Sequence, residues 1–314
     1  VKAFNQTFHC ERRMMRNFRF LLLFLVFAGG FSLFPTGSPT AQTGPFRRIE
    51  NPYASRSPET ERRNAAIEEE LKNLKNHPWA GEYVFGRDVG TRRYLRLAPR
   101  AGFTFFSGGC VIGSYFLDYG SVEWAGGKIL LHPATKPLGD ESSFERFRVF
   151  YPVKWGDRRY LIGEDEMVDF INRINQGYEP CEEMFCTRFF IRADDKKKKV
   201  SGNPDIPVQF QSYLLKKPIR ATIIAVGKSE TTRDEDLEDT LFRDTEITLN
   251  VGSAQGVWKG MEFLRSGQGS SVSAVVTKVE LNSCTAIITD RIFKDEKPPP
   301  PPTLGWKFST SRKD

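Results

Sequence analysis

Histidine is scarce in this 314-residue chain, which has only three: His9, His77 and His132. A serine nucleophile needs an oriented histidine base, and His77 and His132 each stand directly before a proline, in no suggestive context. There is no G-x-S-x-G elbow, no H-E-x-x-H helix and no phosphate loop; Gly267-Gln268-Gly269-Ser270-Ser271 lacks both the lysine and the spacing of one. No catalytic residue, metal ligand or cofactor is therefore assigned. Carboxylate chemistry leaves no such trace in sequence, because a glycosidase pair is defined in space. The densest acidic cluster beside an expected helix start is Glu164-Asp165-Glu166, and there its simplest role is to complement the helix dipole.

Cysteine is sparse as well, with five in the chain. Cys10 lies in the basic N-terminal segment, leaving Cys110, Cys181, Cys186 and Cys284. An even number in an exported chain permits disulfides. Cys181 and Cys186 are close enough to bridge across a turn, so a disulfide or two free thiols is expected there. A metal site would want a second cysteine pair or more histidines. Cys110 and Cys284 fall in segments read as strands, where they act as small buried hydrophobes.

Long apolar runs are missing too. The best is Phe20 to Phe34, interrupted by Gly29-Gly30, and fifteen residues at 1.5 Å fall short of the roughly 30 Å hydrocarbon core of a bilayer. It follows the basic stretch Arg12-Arg13-Met14-Met15-Arg16-Asn17-Phe18-Arg19, the order that export machinery reads. Residues 1–41 are thus expected to be a signal peptide ending near Ala41 or, if uncleaved, a membrane tether through residues 20–34 with Arg19 snorkelling to the surface. The expected location is the periplasm or cell envelope.

The formal charge of +7 does not point to nucleic acid. Residues 1–41 hold five Lys or Arg and one Glu; removing them from 46 and 39 leaves 41 basic and 38 acidic residues, a net charge near +3. That is an ordinary soluble surface. The run Lys196-Lys197-Lys198-Lys199 has no interleaved aromatics, as a single-strand platform would need, and reads as a solvated loop.

What is abundant is aromatic residues in short, glycine-punctuated runs, which suit pleated surfaces. Residues 42–77 read as a polar linker and a short charged helix: Ser57 caps it, Pro58 suits its first turn, and Ile67, Leu71 and Leu74 form a narrow stripe. That stripe suits a helix leaning on the next domain or a short dimerising coil. Residues 78–203 read as a β-rich meander with one helix at about 164–176, on which Met167, Phe170, Ile171 and Ile174 share a face. Ala125-Gly126-Gly127 and Gly156-Asp157 mark hairpins within it. Residues 204–314 read as a small β-barrel-like domain, with strands at Arg220 to Val226 and Thr245 to Val251 around the acidic stretch Thr232 to Asp244. Pro298 to Pro302 is a stiff spacer before a closing strand at Gly305 to Ser309. The fold class is mainly β with minor α: two small antiparallel barrels or sandwiches after a signal and one helix.

Glu246 to Leu264, with Gly252-Ser253-Ala254-Gln255-Gly256-Val257-Trp258-Lys259-Gly260-Met261 at its centre, resembles the small β-domain of the rod-shape-determining envelope scaffold family and of similar flagellar-assembly domains. Val272 to Val279 and Ala286-Ile287-Ile288-Thr289-Asp290 stand where that family has its next two strands. Gly252, Gly256 and Gly260 are read as turn glycines that permit positive φ. The resemblance covers about residues 246–290 and implies a non-catalytic envelope protein that binds other envelope proteins. The short helix before Pro78 and the meander from Trp79 onward depart from the family.

Three functions are carried forward. The first is an exported scaffold acting through protein contacts. The second is a lipocalin-like module whose barrel holds a small apolar ligand among Trp79, Phe103, Phe105, Tyr115 and Trp124. The third is a hydrolase whose carboxylates meet only in the fold.

Overall fold

The computed structural model describes residues 58–85, 91–109, 113–134, 148–179, 189–233, 240–267, 272–294 and 296–313. The expected signal or tether, the thiols of Cys110, Cys181 and Cys186, and residues 234–239 of the acidic stretch lie outside those residues. The fold is mainly β, built as two closed antiparallel barrels rather than sandwiches.

Helix α1 (Pro58–Lys72) precedes eight strands that pair in chain order: β1 (Gly81–Phe85), β2 (Thr91–Ala98), β3 (Gly102–Gly109), β4 (Gly113–Ala125), β5 (Lys128–Pro133), β6 (Val149–Trp155), β7 (Arg158–Gly163) and β8 (Phe190–Arg192). The β4–β5 hairpin turns on Gly126 and Gly127, with φ of +58° and +79°, the two left-handed residues that a two-residue turn matching strand twist needs. Closure comes from β1 meeting β8, Tyr83 opposite Arg192 and Val84 opposite Ile191.

Alternation then divides the side chains. Leu95, Leu97, Phe103, Phe105, Ile129, Phe150, Leu161 and Phe190 share one buried cluster, and Phe190 meets the rings of Phe85, Phe105 and Phe150 at centroid distances of 5.1, 6.2 and 5.6 Å. This cluster is the inner core of the first barrel.

On β6, β7 and β8 the outward residues are buried too. Tyr151, Val153, Tyr160, Ile162 and Ile191 pack with Met167, Phe170 and Ile171 of α2 (Met167–Asn175), which follows a 3₁₀ turn at Glu164–Glu166. The expected apolar face of α2 is therefore a core face. The same cluster runs on without a break into the second barrel, through Ile223, Ile247, Leu249, Trp258, Met261, Phe263 and Phe308.

The second barrel is ordered β10-β13-β12-β11-β14-β9, from β9 (Arg220–Arg233), β10 (Thr240–Leu249), β11 (Glu262–Arg265), β12 (Ser273–Val279), β13 (Cys284–Phe293) and β14 (Lys307–Ser309). The segment after the prolines does close it, as β14 pairs with both β11 and β9. The carbonyl of Pro299 accepts a 2.7 Å hydrogen bond from Arg243 Nη2, which fixes the proline segment against β10.

Helix α1 is not a coil waiting for a partner. Ile67 is fully buried, Leu71 and Leu74 pack on the inner cluster, and polar residues tie the helix across the β2–β3 hairpin. Asn64 pairs with Thr104 at 3.0 Å, Glu68 with Arg96 at 2.6 Å, and Glu70 accepts from the backbone N–H of Ala101 at 2.7 Å. The apolar stripe is spent inside its own chain.

Candidate protein-interaction surface

The residues proposed to line a ligand pocket are partly brought together. Trp79, Phe103 and Phe105 belong to the inner cluster, all at least nine-tenths buried. Trp124 is half exposed and stacks on Trp79 at 6.1 Å with 12° between the planes. Tyr115 is placed by its backbone alone, on β4. Tyr83, just after Trp79, donates from its hydroxyl to the Trp79 carbonyl at 2.9 Å, and burial pushes its pKa well above the usual range. Trp79, Phe103, Phe105 and Tyr83 fill space with rings, and the Tyr83 hydroxyl is satisfied.

Within the acidic cluster, Glu164 is engaged as well. Glu164 binds Lys128 at 2.5 Å and accepts from the Tyr151 hydroxyl at 3.1 Å, and the Lys128 bond holds its carboxyl below the usual range. Sequence reading did not single out Asp195, which is fully buried. Burial opposes its charge, yet hydrogen bonds from Arg159 (2.7 and 2.9 Å) and Lys198 (2.6 Å) outweigh that and hold it ionised below its ordinary pKa. Lys198, one of the four expected solvated lysines, thus has a buried partner. Among the described residues no three His, Cys, Asp or Glu side chains gather closely enough to hold a metal ion, and no helix is long and apolar enough to cross a membrane.

The turn glycines serve two different ends. Gly256 (φ +84°) and Gly260 (φ +91°) take the left-handed conformation expected of them. Gly252 does not: its φ is −143°, open to any residue, but a Cβ there would stand 2.3 Å from the Glu280 carbonyl oxygen. Close backbone approach, not φ, demands glycine at 252. At Gly260 the neighbour is Val168 of α2, and Asn172 of the same helix clips the chain beside it, donating to Gly260 O at 2.9 Å and accepting from Glu262 N at 3.1 Å.

The feature least used inside the fold is the far half of β9. β14 covers its outer edge only at Arg220, Ala221 and Thr222, with Ile223 bonding Trp306 O and Gly305 N just beyond, both at 3.0 Å. From Ile224 to Arg233 every residue is exposed, and among the described residues only β10 pairs with that stretch. The exposed residues include Ile224 at 53% and Val226 at 39%; Leu304, next to Gly305, is 66% exposed. A strand edge of this kind presents a row of backbone donors and acceptors to any extended chain.

Two devices temper that edge. The pairing with β10 slips between Thr245 and Ile247 and between Thr248 and Leu249, and Lys228 ion-pairs with Glu230 along the strand. Bulges and charges both limit indiscriminate pairing. The strand also runs seven residues past the expected end at Val226, through Gly227-Lys228-Ser229-Glu230-Thr231-Thr232-Arg233. Only the paired β-branched residues Thr231 and Thr232 hinted at it.

No family model, curated protein or solved structure matches this chain.

Proposed function

We propose that this is an exported, non-catalytic envelope protein that works by protein contacts made along the unpaired β9 edge. The observation that carries the reading is the ten-residue stretch Ile224 to Arg233, exposed throughout and paired on one side only among the described residues. The basic-then-apolar N-terminal segment and the resemblance of residues 246–290 to an envelope scaffold domain support it. The test is a photo-crosslinking residue at Val226 in intact producing cells, with one at exposed Thr277 on β12 as control. Adducts with an envelope protein, a second copy of this chain included, from position 226 alone are expected. Equal labelling from both positions, or none, refutes the reading.

The closed, sequentially connected eight-stranded topology of the first barrel favours a second reading, an apolar-ligand module. The rings around Phe190 weigh against it, because they occupy the space a ligand would need. Titration with an apolar fluorescent probe, read by quenching of Trp79 and Trp124, decides it; saturable quenching is required.

A further inference from the structure

We propose that the β9 edge left unpaired among the described residues receives a second copy of this chain, with β9 of each copy running antiparallel to the other and Ser229 facing Ser229 across a two-fold axis. This rests on reading the edge as a docking surface and goes further by naming the occupant and the register.

Faces and charges select the register. Directly opposite residues in an antiparallel pair lie on the same face of the sheet. A two-fold axis perpendicular to the sheet preserves faces, so a self-paired strand must place one residue opposite itself. Centring on Lys228 or on Glu230 sets like charges against each other, which is destabilising. Centring on Gly227 leaves both charged residues opposite uncharged ones, and centring on Thr231 leaves Glu230 opposite Thr232 while Lys228 would face Asp234, beyond the described strand. Centring on Ser229 puts Lys228 of each copy opposite Glu230 of the other, twice. The two side chains already share a face, because they pair with each other along one strand.

The surroundings fit that register. Lys228 and Glu230 are 79% and 62% exposed, so both are free to exchange partners without unpacking anything. Ser229 is small, and its hydroxyl is tied back to Thr245 Oγ1 at 3.0 Å. The bulge at Gly227 and Lys228, between the Val226–Ile247 and Ser229–Thr245 pairs, keeps the new ladder short, about three residues or 10 Å per strand. An interface of that size is at the low end for specific complexes, so the association is weak and depends on concentration.

Ser229→Cys in the full chain tests the register directly. Opposite residues in an antiparallel pair stand about 4.5–5.5 Å apart at Cα, within disulfide range. Thr231 would stand about 14 Å from its own copy, outside it. Under mild oxidation Ser229→Cys should give a covalent dimer at least tenfold faster than Thr231→Cys or the parent chain. Lys228→Glu or Glu230→Lys, each introduced into the Ser229→Cys chain, should slow that reaction severalfold, and the double exchange should restore it. Equal rates at 229 and 231, absence of the 229 dimer, or failure of the double exchange to restore the rate overturns the proposal. If the Val226 cross-link to another envelope protein persists while Ser229→Cys forms no dimer, the second copy is refuted and the interaction edge stands.

Discussion

Replacing Gly252 with alanine should cost more than replacing Gly256, although only Gly256 has a backbone that alanine resists. At Gly256 φ is +84° and a Cβ would meet nothing within 4 Å, so the penalty is the left-handed conformation alone, about 1–2 kcal/mol. At Gly252 the backbone is relaxed, but a Cβ would lie 2.3 Å from Glu280 O and 2.7 Å from both Leu281 C and O. Those two residues also accept from Ser253 N at 2.8 Å and Ala254 N at 2.9 Å. Pushing the two turns apart adds an overpacking cost of about 1–3 kcal/mol and weakens two hydrogen bonds worth about 1 kcal/mol each, or about 3–5 kcal/mol together. Urea unfolding followed by tryptophan fluorescence measures both variants. Asparagine, which tolerates the left-handed region, should recover part of the loss at 256 and none at 252. If Gly252→Ala proves no worse than Gly256→Ala, close approach is not what requires glycine there.

Three further outcomes are expected. Asn172→Ala removes the amide that serves Gly260 O and Glu262 N, and should destabilise by about 2–4 kcal/mol in the same urea assay. Cys284 is 1% exposed, and burial pushes its thiol up to about 11, so in the native protein near pH 8 it should alkylate at least about tenfold more slowly than after unfolding, as read by peptide mapping. Burial, aided by the Arg192 charge, lowers the pKa of His77 from 6.5, and its Nδ1 accepts from Ala80 N at 2.9 Å. The unfolded chain therefore binds the proton first: stability is full above the ordinary histidine range and falls as pH drops through it, and His77→Asn, which keeps an acceptor, should flatten that slope between about pH 7 and 5.

How much of this was legible in the sequence differs from element to element. The β4–β5 hairpin was, because Gly126-Gly127 carries its own turn instruction. So was α2, whose Met167, Phe170 and Ile171 repeat at helical spacing and are all fully buried. What local pattern could not supply was the covering of the outer faces of β6–β8: Tyr160 and Ile162 flank Leu161 and point away from it, and only α2 and the second barrel make both faces interior. Barrel closure was equally invisible, since Tyr83 and Arg192 meet across more than a hundred residues. The candidate interaction edge was missed for a related reason. From Gly227 to Arg233 no apolar alternation marks a strand, and its pairing with β10 imposes the extended state.

The unbroken apolar cluster that passes from Tyr160 and Phe170 to Trp258 and Phe263 has a consequence for how the chain can be divided. The linker between the barrels, which looks from composition like the natural place to cut, is bound down on both sides. Trp155 Nε1 donates to Gly202 O at 2.8 Å, Asp205 N donates to Lys154 O at 2.7 Å, and Tyr213 stacks on Trp258 at 4.4 Å. Either half made alone would turn tyrosine, phenylalanine and tryptophan surfaces toward water and toward one another. Neither barrel is a transferable module; a protease, a fusion design or a genetic exchange that separates them yields two sticky fragments in place of one protein.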